Sequence, residues 1–129
     1  MSDIRPRGRD GVAPPGWPSA VRPPGTEDWQ ESAVNWLREV LPPEYRRHEI
    51  LRRHPELLAR MAVQHVGAVL HAARWGYGEA RADLPDVGDE QLGALLAAYQ
   101  DVGGRAAALD REVRLVEQAL RGERWNPRL

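Results

Sequence analysis

Apolar residues recur along this chain at helical spacing, and two long stripes dominate the pattern. The clearest comprises Leu92, Leu95, Tyr99, Val102, Ala106, Leu109, Val113, Val116 and Leu120, at alternating steps of three and four. Sustained over four heptads, that alternation predicts a coiled-coil-like seam on one helix. Asp89 and Glu90 suit the positive start of such a helix, and Gly122 suits the left-handed turn that ends one, so the element is expected over about 89–121. The earlier stripe is Leu58, Ala62, Val66, Val69, Leu70, Ala73, Tyr77, Ala80 and Leu84, with Leu57, Met61 and Val63 widening it. It predicts a helix over about 55–83 that opens on Pro55, a residue well placed in a first turn. The intervening Leu84–Gly88 segment is short, which makes the two helices antiparallel neighbours.

Two shorter helices are expected upstream. Thr26-Glu27-Asp28 reads as a hydroxyl cap followed by acids, and Trp29, Ala33, Trp36, Leu37 and Val40 then share one face. Pro42-Pro43 stops that helix near Leu41, and a second one is expected from about Pro43 to Arg53, broken by His54-Pro55. The fold expected is all-α: a long antiparallel helical hairpin with two shorter N-terminal helices packed on it. Residues 26–122 form one helical domain in this reading, followed by a tail over 123–129.

Composition changes the picture at the N-terminus. Of the 129 residues, 11 are Pro and 12 are Gly, and the first 25 positions hold Pro6, Pro14, Pro15, Pro18, Pro23 and Pro24 with Gly8, Gly11, Gly16 and Gly25. Apolar residues there are few and aperiodic, so residues 1–25 are expected to form a flexible, disordered leader. No apolar run is long enough for a signal peptide or a membrane span, which predicts a soluble cytoplasmic protein without a membrane partner.

Candidate chemistry is sparse. The absence of Cys excludes a disulfide scaffold, a thiolate metal site and a cysteine nucleophile. Ser occurs only at 2, 19 and 32 and Thr only at 26, and no nucleophile elbow or Gly-rich phosphate loop is present. His48, His54, His65 and His71 have no metal-ligand spacing: His65 and His71 lie about 240° apart around a helix, with no acid between Glu56 and Glu79 to complete a cluster. No catalytic residue, cofactor or metal site is therefore expected, and the protein is read as non-enzymatic.

All 18 basic residues are Arg, the net charge is −1, and Lys and Phe are missing. With only two Ile and two Asn, this is the composition of a GC-rich, bacterial genome, and the charge argues against a globally basic nucleic-acid binder. The densest basic segment repeats Arg-Arg-His at 46–48 and 52–54. Arg46, Arg47, Arg52 and Arg53 are the candidates for an anion or nucleic-acid backbone. On one continuous helix they would encircle the axis, and Glu49 stands four residues before Arg53, so a solvated helix with local ion pairs is the simpler reading. Glu79 to Asp101 carries six acids against Arg81 alone, and acids that suit the helix start and the turn are preferred there over head-to-tail pairing with the Arg-rich segment.

Trp17 and Trp125 lie in segments without helical pattern and are candidate anchors for a partner, or covers for the chain's own core. Without Phe, the core built from Ala and Val is thin, and a second copy would complete it. The expectation is a small helical interaction or adaptor protein, homodimeric through seam residues Leu95, Tyr99, Val102, Leu109, Val113 and Val116, that also binds a protein partner. The alternative is a nucleic-acid-associated regulator acting through the Arg-rich short helix.

Overall fold

A computed structural model describes residues 12–123. Among the described residues there is no strand, and four α-helices follow one another: α1 Trp29–Val40, α2 Glu49–Arg53, α3 Pro55–Asp83 and α4 Asp89–Leu120, with a 3-10 turn at Pro43–Arg47. The two long helices match the expected limits to within a residue. Their ends follow from local chemistry. The carbonyl of His54 accepts from Leu57 and Leu58, so Pro55 sits where no amide donor is needed. At the far end Gly122 takes φ +91, its N–H reaches the Ala119 carbonyl, and the Glu123 N–H reaches Gln118, which together make a Schellman stop.

The described residues divide into two compact units. The first takes everything up to Val63 together with the chain from Arg111 on; the second is Gln64–Asp110. The first unit holds most of the core: Pro18, Val21, Ala33, Leu37, Leu41, Leu51, Leu58, Ala59, Ala62, Val63, Val113 and Val116 are all buried there. In the second, the buried apolar residues are Val66, Ala73, Ala80 and Ala106.

α3 and α4 pack closely and run antiparallel. In the first unit Arg60 meets Glu117; in the second, Ala73 lies beside Gly103 and Gly76 beneath the Tyr99 ring. As the α3 member advances, the α4 member retreats, as antiparallel pairing requires. A β-carbon on Gly76 would fall 2.4 Å from the Tyr99 ring, so glycine is what lets that aromatic lie on the α3 backbone.

Three expectations change. Residues 12–25 of the leader are folded, not disordered; residues 1–11 lie outside the described residues. Pro14-Pro15-Gly16 and Pro23-Pro24-Gly25 each make a tight turn, with φ +86 at Gly16 and +91 at Gly25, closed by bonds from Trp17 N–H to the Pro14 carbonyl and Thr26 N–H to Pro23. Proline followed by glycine fits the central positions of a type II turn, and proline lowers the entropy lost on ordering. Second, Thr26 does not cap α1. Its hydroxyl donates back to Pro23, and Asp28, at φ +65, is the residue before the helix. Third, the short helix expected over 43–53 is interrupted at His48, whose extended backbone (φ −91, ψ 106) separates the 3-10 turn from the single turn of α2.

Ser32 fastens the folded strap to α1. Its hydroxyl donates to the Trp29 carbonyl at 2.7 Å and accepts the Arg22 N–H at 3.0 Å. Ser32→Ala removes both bonds and is expected to cost about 1–2 kcal/mol, given a net worth of about 0.5–1.5 kcal/mol for each. Limited proteolysis should show faster cleavage within residues 12–25 of that variant.

Candidate functional site

The seam proposed from sequence divides sharply by burial. Val113 and Val116 are fully buried in the first unit, and so belong to the chain's own core rather than to an outer interface. Leu95, Tyr99 and Leu109 are half-buried, and Val102 is 44% exposed. The reason lies one position along: Gly103, not Val102, faces α3, with room for a β-carbon only 3.6 Å from that of Ala73. In the second unit the buried residues of α3, Val66, Ala73 and Ala80, recur every seven residues, so small side chains line the contact there. In the second unit Trp75 is 65% exposed, and Tyr77, Leu84 and Val102 are exposed with it. Single exposed apolar residues are ordinary; a unit whose buried apolar residues are all small, with its large ones exposed or only half-buried, is not.

A second feature lies in the first unit. Leu41, Leu51 and Leu58, all buried, floor a shallow depression open to solvent, beside Tyr45. Arg38, Arg46 and Arg52 form its rim. The break at His48 brings this about, because it places Arg46 and Arg52 on separate turns. The Arg46 guanidinium donates from Nη2 to the Arg38 carbonyl at 3.3 Å, near the negative end of α1. Among the described residues none of the three rim guanidiniums is paired with a carboxylate. Arg53, in contrast, is paired with Glu49 at 3.0 Å as the spacing predicts, and Arg47 is exposed away from the depression. Two of the four Arg candidates thus share a site, together with Arg38, which sequence spacing gave no reason to include.

Trp17 is engaged internally. Its indole N–H donates to the Val21 carbonyl at 2.9 Å, and its ring lies 6.2 Å from that of Trp29 at a tilt of 55°. Trp125 lies outside the described residues. Among the described residues no three His, Cys, Asp or Glu side chains gather where they could hold a metal ion, and no helix is long and apolar enough to cross a membrane.

Comparison with protein-family models, with curated proteins and with solved structures finds no match to this chain.

Proposed function

We propose that this chain is a small non-enzymatic interaction protein of the cytoplasm that self-associates, the 64–110 hairpin of one copy packing beside that of another. The observation that carries this reading is the thin core of that unit: its buried apolar residues are three alanines and one valine, while Trp75, Tyr77 and Val102 are exposed and Leu95, Tyr99 and Leu109 are only half-buried. A two-helix unit with so little buried area has a poor surface-to-volume ratio, and oligomerisation is the usual remedy. The row Leu95, Val102, Leu109 supports a second copy as the occupant, because these apolar residues recur every seven positions on one face of α4 and are left half-buried or exposed there. An isologous pairing of these rows would make a four-helix bundle.

Analytical ultracentrifugation tests this directly. The protein is expected to sediment as a dimer at tens of micromolar. Val102→Glu should raise the dissociation constant at least tenfold, about 1.4 kcal/mol, without changing the helical circular dichroism. A wild-type monomer at that concentration overturns the reading.

A further inference from the structure

The Arg-rimmed depression and the hairpin turn are complementary in charge, and each carries an apolar group beside its charges. The depression offers an apolar floor (Leu41, Leu51, Leu58) beneath three guanidiniums that no described carboxylate pairs with. The turn between α3 and α4 offers the converse. Leu84 is 40% exposed, the exposed Asp83 and Asp86 stand on either side of it, and Asp89 and Glu90 follow. A bond from the Val87 N–H to the Leu84 carbonyl closes this turn, so the leucine and its flanking acids are presented on an ordered backbone.

We propose that the depression receives the hairpin turn of a second copy, with Leu84 on the leucine floor and Asp83 and Asp86 on the rim arginines. A second copy is the occupant because the chain itself carries the required pairing of one aliphatic side chain with adjacent carboxylates. Guanidinium forks suit carboxylates, and the leucine floor suits an aliphatic group better than it suits a phosphate backbone. This contact is heterologous, since the surfaces that meet are different, so it would extend assemblies beyond a closed dimer. It uses other residues than the hairpin row and stands independently of it. Exposed ion pairs are worth little each and are screened by salt, so the contact should be weak and salt-sensitive.

The lack of cysteine makes a clean test possible. Full-length Pro85→Cys and His48→Cys variants, which leave the proposed carboxylates and rim arginines in place, mixed in equal amounts under mild oxidation, should give a ratio of mixed to like disulfide several-fold above the equal shares of random pairing. Adding Arg46→Glu to the second variant, or working at 0.5 M salt, should remove that excess. All three positions are exposed, so circular dichroism should confirm unchanged folding. A statistical mixture of disulfides, or an excess that survives both Arg46→Glu and high salt, overturns the proposal. Either result leaves the sedimentation test of the hairpin row unaffected.

Discussion

Leu37→Ala is expected to destabilise the protein by about 3–4 kcal/mol, the largest loss from any single truncation considered. Leu37 is 0% exposed, one of the largest fully buried side chains among the described residues, and it lies on the α1 face with Ala33. Truncation forfeits the transfer free energy of the lost methyl groups and leaves a cavity whose walls collapse only in part; buried leucines in general lose about 2–5 kcal/mol this way. The neighbouring Ala33 has only a methyl group and cannot fill the gap. A chain of this size holds only about 5–15 kcal/mol in total, so the variant should melt more than about 10 °C lower. Val102→Ala is the matched control. At 44% exposure it removes little buried area, and its effect on the melting of the monomer should be within about 0.5 kcal/mol. Thermal unfolding followed by circular dichroism compares the two, and equal losses would show that burial in α1 does not set the stability.

The α3 and α4 limits were legible because long periodic stripes and terminal Pro and Gly residues are strong local signals. The side of α4 that meets α3 was legible only in part. The hydrophobic stripe includes Tyr99, which lies on the α3 backbone, but it also selects the exposed Val102 and passes over Gly103 and Glu117, which approach α3 as well. A glycine contributes no apolar signal but allows close approach, and a carboxylate counts against burial unless its partner is known. The folded strap was missed for a related reason. Aperiodic Pro- and Gly-rich sequence resembles a disordered leader in composition, whereas the repeated Pro-Pro-Gly at 14–16 and 23–25 carries turn chemistry that composition averages away. The rim of the depression was only half legible. Arg46 and Arg52 were visible as a dense basic segment, but a continuous helix would have pointed them apart, and it is the extended backbone at His48 that reunites them.

Glu117→Ala should show how strongly the first unit depends on one buried carboxylate. Its side chain is 6% exposed and receives a two-pronged bond from Arg60, Nε to Oε2 and Nη2 to Oε1, both at 2.7 Å. Arg121, one turn on, adds a third contact at 3.1 Å. The paired geometry fixes the register of α3 against α4, since a planar guanidinium meets both carboxylate oxygens in only one orientation. Breaking a fully buried pair costs about 3–5 kcal/mol, because a charge is left without compensation. Here Arg60 is 41% exposed and Arg121 50%, so both can turn toward water, and the expected loss is smaller, about 2 kcal/mol. Glu117→Gln keeps the shape and one acceptor oxygen and should lose less. The informative variant is the pair Arg60→Met with Glu117→Met, which removes both charges and fills the volume with apolar atoms; replacing buried ion pairs in this way is often neutral or stabilising. The double variant is expected within about 1 kcal/mol of wild type by urea denaturation, and more stable than Glu117→Ala. If instead both lose equally, the carboxylate acts through the specific orientation it imposes on the two helices rather than through the cost of an orphaned charge.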